Sequence, residues 1–315
     1  MTPNAERRTP NAERRMPNDE CRTTNAECRM PNADSEMVMH SRQSLAQDAA
    51  RTGVRAGDLL MVHASVRAVG AVVGGPDEIH LALGDAVGVT GSLFMYASCP
   101  DHYDQVGTGT LPADVEARVR DWLPPFDART ARAQRENGAL VELLRTWPGT
   151  IANDHVVRFV CRGPHAADLF EAQPWDYAYG HGSALARLVS LRGRILLLGS
   201  DHDAVTFLHH AEHVLDVPGK IVVRYQVPIL EAGRRTWRWV EEFDTSERAH
   251  QHWPDRFFAR LVDGFLARTS NTGGRVGDAH AHLLDAGALL DFALPVMKAV
   301  AGDPAAADDL LPPAS

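Results

Sequence analysis

The clearest apolar run in the chain is residues 194–198, R-I-L-L-L, which predicts a buried strand. It runs into Gly199-Ser200-Asp201 and a predicted helix over 204–215. A second run, D-L-L-M-V at 58–62, empties into His63-Ala64-Ser65, and a third, S-L-F-M-Y-A-S, follows Gly91. Helical patterns occupy 41–52, the stretch from Gly74-Gly75-Pro76 to about Val87, and 137–147, which Pro148-Gly149 ends. A strand is predicted at 156–161, a helix at 165–172 and a helix from a Ser183 cap to Ser190. Two strands, 220–230 and 235–243, flank a turn at Ala232-Gly233, and two helices follow near 255–267 and 285–300. Residues 100–130, rich in Pro, Asp and Gly, read as a long surface excursion and a candidate substrate loop. Strands and helices mixed in this way predict an α/β fold, a layered mixed sheet flanked by helices. The late strand pair argues against a purely parallel sheet.

The first 36 residues follow another rule. Residues 2–36 repeat every seven, as TPNAERR, TPNAERR, MPNDECR, TTNAECR and MPNADSE. A coiled coil is excluded, because Pro recurs at the second position and no apolar seam exists. The expected organisation is a disordered leader at 1–36, a single domain at 37–302 and a flexible tail at 303–315, with Met37 and Met39 as alternative starts.

Composition narrows the function. The 315 residues carry a net charge of -9, which argues against nucleic acid and is compatible with a cationic small molecule. Four cysteines without C-x-x-C spacing predict a reducing compartment and no disulfide framework. No apolar run is long enough to span a membrane, and the N-terminus lacks a signal-peptide core, so a cytoplasmic protein is expected.

Residues 201–213, D-H-D-A-V-T-F-L-H-H-A-E-H, hold the chemistry. On a helix His209 and His213 share a face with Glu212 beside them. Two chemistries fit. His209, Glu212 and His213 match H-x-x-E-H, an inverted zincin pattern that would make a zinc hydrolase if a third ligand exists. Alternatively one histidine is a metal-free general base whose tautomer a carboxylate fixes. A binding module that holds a cationic ligand without catalysis is a third class.

The run T-F-L-H-H-A-E-H-V-L-D-V-P-G-K resembles the aminoglycoside 3-N-acetyltransferase family. Five further segments do so in order: V-H-A-S-V-R-A-V-G-A-V-V-G-G-P, E-N-G-A-L-V-E-L-L-R-T-W-P-G, D-Y-A-Y-G-H-G-S-A-L-A-R-L, W-R-W-V-E-E-F-D-T-S and V-G-D-A-H-A-H-L-L-D-A-G-A-L-L-D-F-A. They cover the chain from about Gly57 to Val300. The chain lacks the R/Q-x-x-G-x-G/A pyrophosphate loop of the other acetyltransferase superfamily, whose fold is therefore not expected.

The resemblance implies an enzyme that acetylates the 3-amino group of the 2-deoxystreptamine ring of an aminoglycoside from acetyl-CoA, conferring resistance, without a metal. It implies His209 as general base, with Asp244 and Glu242 as the acids that support it. If residues 235–243 and beyond continue as a strand, Glu242 and Asp244 share a face and Glu241 points the other way. His63, Ser65, Arg67 and Ser183 are the candidate coenzyme contacts. Glu241, Asp101 and Tyr103 are the candidate antibiotic contacts. A monomer or homodimer is expected. The chain departs from the family pattern at His155-Val156, Ser183-Ala184-Leu185 and Ala97-Ser98-Cys99-Pro100, the last near the presumed antibiotic loop.

Overall fold

A computed structural model describes residues 39–100, 102–217, 219–245 and 253–313, all within one compact unit, Val38–Ser315. The predicted leader and Asp101 lie outside the described residues. Seven strands form one mixed sheet in the order Gly274–Val276, Ala279–Asp285, Arg194–Leu198, Leu59–Ala64, Ser92–Tyr96, Phe159–Arg162, Thr150–Ala152. The three central strands are parallel to one another, and the outer pairs are antiparallel.

Helices cover both faces, which is why the central strands read as unbroken apolar runs rather than alternating ones. Leu59, Met61 and Leu197 point to one side, where they pack under helices Leu208–Val214, Phe257–Thr269 and Ala286–Gly302. Leu60, Val62 and Leu196 point to the other side, against helices Arg42–Arg51, Asp77–Val87 and Ala139–Thr146. The expected α/β architecture, a layered mixed sheet flanked by helices, is the one observed. Its mixed character has another source than the predicted hairpin, however. Strands Val222–Glu231 and Arg234–Phe243 form a separate two-stranded arm, and the antiparallel members of the main sheet are its outer strands.

Two further expectations are corrected. Residues 100–130 are more than a surface excursion. They contain helix Ala113–Trp122, and Tyr103, Phe126 and Ala128 are buried with Tyr225, Val227 and Val240 of the arm. Arg158 secures this segment. It is fully buried and donates to the carbonyls of Ala97, Ala128 and Ala131. The chain end is not a free tail either. Ala306–Leu310 is helical, Leu311 is buried, and Arg260 donates to the carbonyls of Ala307 and Pro312 and to Asp308.

Candidate active site

The parallel strands Leu59–Ala64, Ser92–Tyr96 and Arg194–Leu198 end side by side, the edge at which α/β sheets bind ligands. Gly199 turns the chain out of the third strand at φ +61°, and a Cβ there would lie 2.5 Å from the Cβ of Ala68, so the turn requires glycine. Asp201 then accepts the Asp203 N–H and pairs with Arg256, while His202 Nδ1 lies 2.6 Å from Asp263. These ties hold His202–Ala204 as a tight 3-10 turn. The helix therefore starts at Leu208 rather than at the expected Ala204.

On that helix Leu208 and Ala211 enter the core and the three histidines diverge. His210 is buried, with Nδ1 2.7 Å from the Tyr179 carbonyl. His209 keeps a quarter of its side chain exposed and packs between the rings of Tyr179 and Phe258. Its Nδ1 lies 2.7 Å from Glu212 Oε2, and Glu212 Oε1 accepts the Trp253 indole N–H at 2.9 Å. The carboxylate beside His209 is thus Glu212, three residues on along the same helix, and not Glu242 or Asp244 as the sequence reading had it. A carboxylate accepts, so the His209 proton sits on Nδ1 and its Nε2 carries the lone pair. That nitrogen makes no hydrogen bond among the described residues.

His213 is oriented differently. Its Nε2 lies 2.5 Å from Glu242 Oε1 of the arm, and its Nδ1 lies 2.8 Å from the His209 carbonyl. The two imidazoles of H-x-x-E-H therefore face different carboxylates. Among the described residues no group of three or more His, Cys, Asp or Glu side chains is arranged to hold a metal ion.

A cavity of about 1090 Å³ lies between the arm and the 100–134 segment. Its wall includes Tyr96, Tyr103, Tyr179, Asp104, Glu242 and Asp244. Tyr179 joins the cavity to His209. Its hydroxyl is 2.7 Å from that of Tyr96, and its ring packs on His209 and His213. Glu242 and Asp244 lie on the cavity side of the arm. Glu241 does not line the cavity; it accepts the Tyr177 hydroxyl and lies 3.6 Å from Arg224. Asp104 was missed in the sequence, although it stands only three residues beyond Asp101 along the chain. Cys99 also lines the cavity, and burial pushes its thiol up to about 12, which leaves it inert as a nucleophile.

Of the predicted coenzyme residues, His63 and Ser65 sit at the end of strand Leu59–Ala64. His63 lies in register with Leu197, on the sheet face covered by the histidine helix. Burial lowers it to about 4, so it is neutral near pH 7. Its Nε2 and the Ser200 Oγ are both buried without a hydrogen-bond partner. Orphaned polar atoms at the ends of two adjacent parallel strands fit a ligand rich in amide and carbonyl groups, such as the pantetheine arm of the coenzyme. Ser65 and Ser183 are helix N-caps that accept the N–H of Ala68 and Ala186, and Ser183 is fully buried. Arg67 is exposed one turn away. The expected coenzyme contact of Ser183 rests on its place at a helix N-terminus, where its hydroxyl already serves as the cap.

Proteins of similar fold have been solved with CoASH or with sisomicin bound. The sequence profile of the aminoglycoside 3-N-acetyltransferase family matches residues 61–298. Aminoglycoside N(3)-acetyltransferase III of Pseudomonas aeruginosa is 42% identical over 270 residues, 85% of this chain and 97% of that protein. The solved structure of AAC-IIIb in binary complex with CoASH superimposes with a TM-score of 0.78 at 39% identity, covering 83% of this chain and 97% of the other. The neutron/X-ray structure of sisomicin-bound AAC-VIa does so with a TM-score of 0.76 at 34% identity, covering 83% and 99%. Among the described residues no helix is long and apolar enough to cross a membrane.

Proposed function

The chain belongs to the aminoglycoside 3-N-acetyltransferase family, and from that premise we propose that it acetylates the 3-amine of the 2-deoxystreptamine ring of aminoglycosides from acetyl-CoA, with His209 as general base and Glu212 as the carboxylate that fixes its tautomer. The observation that carries the residue assignment is the His209–Glu212 contact at 2.7 Å, which leaves the Nε2 lone pair available.

The chemistry follows from proton accounting. An aminoglycoside ammonium must first lose a proton to water to become a nucleophile. As its nitrogen bonds to the thioester carbonyl carbon, the next N–H proton passes to His209 Nε2. The C–S bond then breaks, and the imidazolium returns that proton to the leaving thiolate, so the products are the acetamide and the free thiol. Glu212 opposes the transient positive charge on the ring, and its second oxygen is anchored by Trp253. Asp104 and Asp244 on the cavity wall match a polycationic antibiotic. At the strand ends, His63 and Ser200 offer polar atoms to the coenzyme. We place the enzyme in the cytoplasm, which holds the acetyl-CoA pool, as a monomer or homodimer that inactivates the antibiotic and so confers resistance.

The test is thiol release from acetyl-CoA in the presence of an aminoglycoside panel. His209→Ala should lower kcat by about 10²-fold or more, whereas His210→Ala, which removes only a core contact to Tyr179, should do much less. Equal and small losses in both variants would overturn the assignment of the base.

A further inference from the structure

Glu242 is not placed as an antibiotic ligand would be. It borders the cavity, yet it is only 5% exposed. Its carboxylate already receives three donors: His213 Nε2 at 2.5 Å, the Ala178 N–H at 2.6 Å and the Phe243 N–H at 3.2 Å. His213 is as tightly held. Its ring stands between those of Tyr179 and Phe243, each 5.3 Å away, and its Nδ1 reaches the carbonyl of His209 itself. Lys220, beside the arm, donates to the His213 carbonyl at 2.8 Å and lies over the Phe243 ring.

Three segments distant in sequence therefore meet at one carboxylate: the arm that walls the cavity, the Tyr177–Gly180 turn, and the helix that carries His209. We propose that Glu242 and His213 are positioning residues, which act on catalysis by fixing the backbone of His209 and not by touching the antibiotic. The pair makes the placement of the base depend on the same strand that forms the cavity wall. Asp244, two residues on, lines the cavity in its own right. The inference rests on the reading of His209 as the base.

Hydrogen-bond bookkeeping supplies a discriminating variant. A carbonyl can only accept, so His213 Nδ1 carries a proton toward His209; a carboxylate accepts as well, so Nε2 carries the second. In Glu242→Gln the amide oxygen can accept the Ala178 N–H while the amide N–H donates to His213 Nε2. His213 then becomes neutral and still holds the His209 carbonyl. The contacts to Ala178 and His213 survive without the charge, and only the long one from the Phe243 N–H, which shares the His213 oxygen, is lost. Glu242→Ala orphans both His213 Nε2 and the Ala178 N–H, and His213→Ala removes the contact to His209 outright.

The experiment is steady-state kinetics of Glu242→Gln, Glu242→Ala, His213→Ala and, as reference, His209→Ala, with both substrates varied, alongside ¹⁵N spectra of the histidine rings. Glu242→Ala and His213→Ala should lose about 10²-fold in kcat, the scale of a small misplacement of a catalytic group, with both KM values within about threefold of the parent. Glu242→Gln should recover kcat to within about fivefold, and its His213 ring should show one protonated nitrogen where the parent shows two. Because the glutamine variant keeps the contacts to Ala178 and His213, it tests the idea even if the alanine variants fail to fold. A rise in antibiotic KM in Glu242→Gln as large as in Glu242→Ala would mean direct contact with the antibiotic and overturn the proposal. A folded His213→Ala with parental kcat would overturn it too. Retained activity in His209→Ala would instead reject the base assignment on which the proposal stands.

Discussion

His155 should make the enzyme lose stability on mild acidification. The side chain is fully buried. Its Nδ1 accepts the Val157 N–H at 2.9 Å, and its Nε2–H donates to the Trp175 carbonyl at 3.0 Å. Protonating Nδ1 would set one N–H against another, and burial is the main cause that holds the group down to about 4 from 6.5. The folded chain therefore binds the proton later than the unfolded chain does. Between these two values the unfolded state holds more protons, so stability is complete above pH 6.5, falls as pH drops toward 4 and levels off below it. From pH 8 to 4.5 this one residue should account for about 2–3 kcal/mol, a large part of a typical stability of roughly 5–15 kcal/mol. Val156 and Val157 line the cavity, so the loss should begin at its wall. His63 and His282, also lowered to about 4, add loss of the same sign. The assay is urea unfolding of the parent and of His155→Gln at pH 8, 6.5, 5.5 and 4.5. The variant should be less stable at pH 8 yet show a shallower fall with acid, shallower by about 2–3 kcal/mol over the range. Equal pH slopes in the two proteins would refute the reasoning.

Two other perturbations test the cavity. Arg158→Met should cost about 3 kcal/mol or more, since it leaves the carbonyls of Ala97, Ala128 and Ala131 without their buried donor; a fall below about 1 kcal/mol in urea would show that the 100–134 segment is held by other contacts. Asp244→Asn should raise the antibiotic KM by about tenfold at low salt and less at high salt, with the coenzyme KM unchanged, and an unchanged antibiotic KM at both salt concentrations would remove Asp244 from the site.

The central strands were legible in the chain because burial on both faces leaves no room for polar residues, so Arg194–Leu198 announces itself within five positions. The strand Ala279–Asp285 did not. Its alternating A-H-A-H places alanine toward one layer and His282 toward His202, a pairing that has meaning only once the two segments meet. Ser183 was readable as a cap, because a cap bond is made within three residues. The start of the histidine helix was not, because the turn before it is set by Asp263 from far along the chain. The site divides along the same line. Composition and order within L-H-H-A-E-H determined the histidine helix and kept Glu212 within one turn of His209. The tertiary structure decided which acid serves which histidine. A helix fixes neighbours three and four residues apart, whereas the arm is free to approach from any side until Tyr179, Phe243 and Ala178 pack around it. Only that packing brings Glu242 to His213, 29 residues away.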